Sequence, residues 1–108
     1  MKTVVIQQHE QLAAQMKAMA HPARVQILQT LSERRQCVCG EIVEVVGLAQ
    51  STVSQHLKVL KEAGFIQGEI QGPKSCYCLN QDALRAFQQA TQAFVSKLVA
   101  PENTTDCC

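Results

Sequence analysis

The sequence predicts a mainly α-helical domain with a small β-hairpin, arranged as a winged helix-turn-helix that is dimeric through its terminal helices. Three observations support this prediction. Apolar residues recur with helical spacing over most of the chain, and a tight turn separates two of the helical segments. Two short alternating segments, FIQGEI and SCYCL, follow, and the QGPK between them suits a hairpin loop. The order helix, helix, helix-turn-helix, hairpin, helix is that of winged domains.

Length and composition predict one domain. The chain has 108 residues, of which 46% are hydrophobic, and this is enough to bury one core. We expect residues 1–99 to form the winged helix-turn-helix domain. The polar ending PENTTDCC makes residues 100–108 an expected flexible tail that ends in cysteine.

Cellular location and broad chemistry follow from the N-terminal segment and the cysteine count. The chain begins without the apolar run of a signal peptide, and no segment approaches the roughly 20 apolar residues that span a bilayer. We therefore expect a soluble, cytoplasmic protein with no membrane partner. In that reducing compartment six cysteines indicate metal binding or redox chemistry rather than a disulfide framework. A net charge of +1 neither indicates nor excludes nucleic-acid binding.

Two helices are predicted in the N-terminal part of the chain. The apolar stripe of the first consists of Leu12, Met16 and Met19. In HPARVQILQTL, Pro22 suits the first turn of a second helix. The residues expected on one face of that helix are Val25, Leu28 and Leu31.

The helix-turn-helix is predicted next. Its first helix has the helical spacing of Ile42, Val45 and Val46 and ends at Gly47. Its second helix has a buried face made of Val53, Leu57 and Leu60. Gly64 occupies the position of a left-handed C-terminal cap, and we expect Phe65 to pack back on Leu60.

The outward face of the second helix is a candidate DNA-binding surface. The polar residues that it presents, with one residue at its start, are Gln50, Ser51, Ser54, Gln55 and Lys58. Lys74 lies at the hairpin tip, where a wing meets phosphate. The alternative is that these side chains only solvate a surface helix. His56 borders the buried stripe, and we interpret it as a packed or phosphate-contacting residue rather than a metal ligand.

The last predicted helix carries a seam that needs a partner. Asn80 is placed to cap it. The seam, which steps by three and four residues, consists of Leu84, Phe87, Thr91, Phe94 and Leu98. Together with the stripe of the first helix, it predicts a homodimer interface.

Cys37 and Cys39 are the candidate metal ligands. Residues i and i+2 lie about 200° apart on a helix, so the two cysteines can bind one ion only where the backbone is extended or distorted. The pair therefore belongs to the start of the following helix. The helix dipole there and the nearby Arg34 and Arg35 favour thiolate. The alternative is that both cysteines are small core hydrophobes.

Further thiolates have two candidate sources. If QCVC forms a short strand beside SCYCL, Cys76 and Cys78 share one face of the neighbouring strand and Tyr77 points away. A three- or four-thiolate pocket follows from that pairing, although both residues also suit inward-facing strand positions. The second source is the pair Cys107 and Cys108 at the end of the tail.

The segments HPARVQILQTL, CVCGEI, LAQSTVSQHLKVLKEAGFI and GPKSCYCL resemble the ArsR/SmtB family of bacterial metal- and metalloid-responsive repressors, from about His9 to Leu98. The resemblance implies a homodimer that joins through its terminal helices and releases operator double-stranded DNA when an inducer binds. CVC is similar to the thiol pair of the arsenite- and antimonite-responsive members. Those members often have a third cysteine on the same helix, where this chain has Ile42.

The resemblance also guides the choice of inducer. Zinc sensors of the family bind zinc on the last helix, but the matching positions here are Asp82, Leu84, Val95 and Leu98, of which only the first can bind zinc. Thiolate ligands select soft ions. We therefore expect As(III) or Sb(III) as inducer, with another thiophilic metal as an alternative and with no organic cofactor.

Two further alternatives remain open from the sequence. A repressor of the same fold can sense oxidant or persulfide through its thiols. A small thiol oxidoreductase is the alternative from a different class, but such enzymes use C-x-x-C beside a βαβ pattern, which this sequence lacks. No catalytic constellation stands out, so we expect no enzyme.

Overall fold

The computed structural model describes residues 2–34, 37–39, 46–69 and 76–100. Its elements are α1 (Lys2–Met19), α2 (Pro22–Glu33), β1 (Cys37–Cys39), α3 (Gln50–Glu62), β2 (Ile66–Glu69), β3 (Cys76–Leu79) and α4 (Gln81–Leu98). This order confirms the mainly helical fold with a small β-hairpin, and the first helix predicted for the helix-turn-helix lies largely outside the described residues. The predictions that lie outside the described residues concern Arg35, Ile42, Val45, Lys74, Cys107 and Cys108.

The core lies between α2, α3 and the sheet. Ile27 and Leu31 of α2 are completely buried in it. The expectation that Val25 shares this face is wrong, because its side chain is 52% exposed. Val25 precedes Ile27 by two positions, about 200° around the helix, so the two side chains cannot face the same core.

Helix α3 has the predicted buried face and the predicted C-terminal cap. Val53, Leu57 and Leu60 are buried. Gly64 has a φ of 87°, and its N–H donates to the carbonyl of Lys61 at 3.0 Å. The N–H of Phe65 donates to the carbonyl of Leu60 at 3.1 Å, which completes a Schellman motif. Phe65 is completely buried, so the cap also fixes how the chain enters the sheet.

A three-stranded antiparallel sheet follows the order β1-β3-β2. The hairpin partners β2 and β3 are those that the alternating segments predicted, and β1 is the short strand expected of QCVC. Gly68 of β2 lies opposite Tyr77 with a φ of 149°. A β-carbon at this position would overlap the carbonyl oxygen of Cys76, so the close approach of the two strands requires glycine.

The terminal helices lie side by side. The side chain of Asn80 accepts a hydrogen bond from the N–H of Ala83 at 3.2 Å and caps α4 as predicted. Phe87 packs edge to face on Phe65, with ring centroids 5.2 Å apart. The partly buried residues of α1 and α4 that pack against the chain's own core are Met19, Leu84 and Phe87. Within the described ranges, no helix combines the length and the apolar character needed to cross a membrane.

Candidate DNA interface and cysteine site

The polar face of α3 is directed outward because the opposite face is buried in the core. Of the predicted DNA-binding residues on this helix, Ser54 is half-buried, and the exposed ones are Gln50, Ser51, Gln55 and Lys58. The helix begins after Ala49, whose side chain makes no capping hydrogen bond to the first turn. The positive end of the helix dipole therefore has no side-chain cap, and such an end favours phosphate.

A histidine contact that sequence reasoning missed joins α2 to α3. The rings of His21 and His56 lie 4.3 Å apart between centroids, so His56 is a packed residue. His21 also caps α2, since its Nδ1 accepts a hydrogen bond from the N–H of Ala23 at 3.0 Å. Burial lowers the pKa of His56, and the charges of His21 and Arg24 lower it further. The sequence signal for this contact was the HP motif at the start of α2. That motif does not indicate which residue of another helix His21 contacts.

The lowered pKa of His56 predicts a stability that depends on pH. The folded protein binds a proton at His56 less readily than the unfolded chain, so the unfolded chain gains protons first as the pH falls below 6.5. This contribution to stability is present above that pH and is lost as the pH falls through the folded pKa. We expect the unfolding free energy, measured by urea denaturation from about pH 8 to about pH 5, to fall less steeply in His56→Gln than in the wild type.

The exposed Gln55 of α3 supplies the control for this experiment. Gln55→Ala changes the residue next to His56 but removes no titratable group. It should keep the slope of the wild type. An unchanged slope in His56→Gln would show that the contact does not couple to folding.

The ladder between β1 and β3 brings two cysteine pairs together. Cys37 lies opposite Cys78, and Cys39 lies opposite Cys76. Between these pairs Tyr77 is buried in the core, and this burial raises its pKa. Alternate positions of a strand belong to opposite faces, so the four cysteine positions share the face that Tyr77 does not use.

The structure shows this ladder in an oxidised state. A disulfide joins Cys37 to Cys78, whose Cα atoms are 4.0 Å apart, and Cys76 is disulfide-bonded as well. Among the described residues, no group of three or more histidine, cysteine or acidic side chains is placed to hold a metal ion. An ion can be bound through thiolates here only after reduction, because sulfurs in a disulfide are not thiolate ligands.

An exposed apolar surface remains on the terminal helices. Phe94 is 40% exposed and Leu98 is 65% exposed, although both belong to the predicted seam. Beside them a groove between α1 and α4 has a volume of about 450 Å³, and Leu12 and Phe94 are among the residues that line it. Met16 is half-buried on the same helix as Leu12. The seam is therefore divided, with its first half packed inside the chain and its second half open.

Comparison with known proteins gives consistent results. A family model described as bacterial regulatory protein, arsR family, matches residues 21–67. The HTH-type transcriptional regulator YgaV of Escherichia coli is 36% identical over 78 residues, which cover 72% of this chain and 79% of YgaV. The arsenical resistance operon repressor of Bacillus subtilis is 30% identical over 108 residues, which cover 99% of this chain and 96% of the repressor. These relatives are transcriptional regulators rather than enzymes.

A solved structure shows the same fold. The homodimeric winged helix-turn-helix DNA-binding domain Mb0332 of Mycobacterium bovis matches this chain with a TM-score of 0.59 and 24% identity. The match covers 99% of this chain and 94% of that domain. The arrangement of helices and hairpin described above is therefore one that a known DNA-binding domain adopts.

Proposed function

Because the chain belongs to the ArsR family of bacterial regulatory proteins, we propose that it is a dimeric cytoplasmic repressor that releases operator DNA when As(III) or Sb(III) binds its cysteine thiolates. The observation that carries the inducer assignment is the register of β1 and β3. It brings Cys37, Cys39, Cys76 and Cys78 to one face of one ladder. The arsenical resistance operon repressor among its relatives agrees with this choice.

The proposed DNA contact uses α3 as the recognition helix in the major groove. Amide and hydroxyl groups on its outward face suit base edges, and the uncapped start of the helix suits a phosphate. The wing is proposed to reach the DNA backbone through Lys74, which lies outside the described residues. Homodimerisation through α1 and α4 would place two recognition helices about 34 Å apart, one turn of DNA.

Removing base contacts from α3 should lower specific affinity more than non-specific affinity. Each well-aligned contact is worth about 1–3 kcal/mol of discrimination, whereas phosphate contacts dominate non-specific binding. We expect Ser54→Ala with Gln55→Ala to weaken operator binding in fluorescence-anisotropy titrations and to change binding to random DNA less. An equal loss on both DNAs would defeat the assignment of these residues to base contacts.

The control for this experiment uses the same residue types on α2. Gln29 and Ser32 are exposed and lie on a helix that is not the recognition helix. Changing both to alanine removes one amide and one hydroxyl, as in the α3 variant. Operator affinity should stay at the wild-type value.

The ladder geometry favours an ion that accepts ligands from one side. Cβ atoms of facing residues are about 4.5–5.5 Å apart, and alternate residues of one strand are about 6.6–6.8 Å apart. Side chains at these spacings can bring three sulfurs to one ion above the sheet. Trivalent arsenic or antimony bound by three thiolates is pyramidal, with its lone pair on the remaining side. A structural zinc ion instead requires a closed tetrahedral set.

The inducer is tested by an operator-release titration with the reduced protein. As(III), Sb(III), Cd(II), Zn(II), peroxide and persulfide are added in parallel to the protein–operator complex. We expect release at the lowest concentrations of As(III) and Sb(III). Release by Cd(II) or Zn(II) at lower concentrations would replace the metalloid with another thiophilic ion.

A second candidate is a repressor of the same fold that senses oxidant or persulfide. The disulfide between Cys37 and Cys78, which the register sets directly opposite each other, supports this candidate. In the same titration this candidate predicts release by peroxide or persulfide without any added ion. Mass spectrometry of the released protein would then show the disulfide or a sulfur adduct.

A further inference from the structure

The disulfide of the structure crosses the ladder instead of closing CVC on itself. Cys37 and Cys78 are 41 positions apart in the chain and directly opposite each other in the register. The bond therefore ties β1, which leads into the helix-turn-helix, to β3 of the wing. It also consumes one sulfur from each of the two pairs that the proposed ion requires, and Cys76 is disulfide-bonded as well.

We propose that Cys37 and Cys78 form a redox gate on the inducer site. A hydroperoxide oxidises the pair to the cross-strand disulfide, and the oxidised repressor remains on its operator and no longer responds to As(III). This inference rests on the proposed function. The disulfide blocks ion binding and does not itself act as the signal for release.

Burial assigns the two cysteines different steps in the oxidation. Cys37 is exposed and Cys78 is half-buried, so peroxide reaches Cys37 first. The Cys37 thiolate attacks one peroxide oxygen and the O–O bond breaks. A sulfenic acid forms, and the departing oxygen takes up a proton and leaves as water from hydrogen peroxide or as an alcohol from an organic hydroperoxide. The Cys78 thiol then attacks that sulfur, the S–S bond forms, and the sulfenic oxygen leaves as water. The two sulfurs supply the two electrons that reduce the peroxide.

Oxidation is compatible with DNA binding because the disulfide joins residues that the ladder already pairs. With the bond in place the sheet keeps its order β1-β3-β2. The recognition helix also keeps its buried face in the core and presents Gln50, Ser51 and Gln55 to solvent. No change of register is needed to form the disulfide. An ion drawing several thiolates together would instead have to separate the two sulfurs and reshape the ladder.

The test compares the full chain in reduced and peroxide-treated form. Peptide mapping without reductant should identify a disulfide that links the peptide containing Cys37 to the peptide containing Cys78. Operator affinity of the oxidised protein should equal that of the reduced protein, while the As(III) concentration needed for release rises at least about tenfold. Dithiothreitol should restore the response.

A trapping experiment tests the order of the two steps. Both variants carry Cys39→Ser and Cys76→Ser, so that no other ladder thiol can resolve a sulfenic acid. In Cys78→Ser on this background, a 1,3-dione probe should label a sulfenic acid at Cys37. The matched variant Cys37→Ser on the same background should show much less label at Cys78, because that side chain is less accessible. Stronger labelling at Cys78 would overturn the assigned order.

Two results with the oxidised protein would overturn the gate. One is release of the operator at the As(III) concentration that suffices for the reduced protein. The other is loss of operator binding upon oxidation alone, which would support the redox-sensing candidate instead. A reduced protein that does not release the operator with As(III) would refute the proposed function. Peptide mapping distinguishes this failure from a failure of the gate, because the disulfide between Cys37 and Cys78 forms without any ion.

Discussion

The double variant Cys37→Ser, Cys39→Ser should bind operator DNA as the wild type does and should no longer release it with As(III). Both residues lie on β1, away from the outward face of α3, so their loss leaves the DNA contacts in place. Release requires only that the ion prefer the conformation that does not bind DNA. A coupling of about 1–3 kcal/mol lowers affinity about 5- to 150-fold, and this whole effect should disappear in the variant.

The measurement is an operator titration of each reduced protein with and without As(III). If the double variant still leaves the operator at the wild-type As(III) concentration, the pair is not the sensor. X-ray absorption of the wild-type complex then counts the sulfur neighbours of the ion. Two further double variants identify the source of the remaining ligand. One changes Cys76 and Cys78 to serine, and the other changes Cys107 and Cys108 to serine. Only the variant that lacks the ligand should lower the number of sulfur neighbours.

Charging the open half of the α4 seam should abolish the dimer. Phe94→Glu with Leu98→Glu places two carboxylates on the exposed apolar surface, where burial against a partner would leave them unpaired. A monomer engages one half-site at a time and loses the linked second contact. We expect operator affinity to fall by about 10²- to 10⁴-fold, in parallel with a monomer in sedimentation equilibrium.

Val25 provides the matched control for the dimer experiment. Its apolar side chain is also exposed, at 52%, but it lies on α2 outside the groove between α1 and α4. Val25→Glu should leave both the dimer and operator affinity unchanged. A wild-type protein that sediments as a monomer at micromolar concentration and still binds the operator with full affinity would contradict the dimer proposal.

The divided seam explains why the two glutamates belong at its C-terminal end. Leu84 and Phe87 pack against the chain's own core, and Phe87 contacts the ring of Phe65. Charges at those positions would unfold the domain and would not report on assembly. Phe94 and Leu98 continue the same heptad spacing, but their side chains are exposed and are not among those packed against the chain's own core.

Local sequence patterns by themselves determined several features of this protein. The buried face of α3, the cap at Gly64 and the alternating strands of the hairpin depend on neighbours within a few positions. Periodicity and glycine conformation report such short-range requirements directly. The outward polar face of α3 followed because it is the complement of the buried one.

Only the tertiary structure decided which residues meet across the fold. It paired Cys37 with Cys78, placed His56 on His21 and divided the α4 seam between the core and an open surface. It also selected Ile27 rather than Val25 for the core. Register, ring contacts and burial depend on elements that are distant in the chain, and they are settled when those elements pack together. A helical or strand period reveals that an apolar face exists, but it does not identify the surface that covers that face.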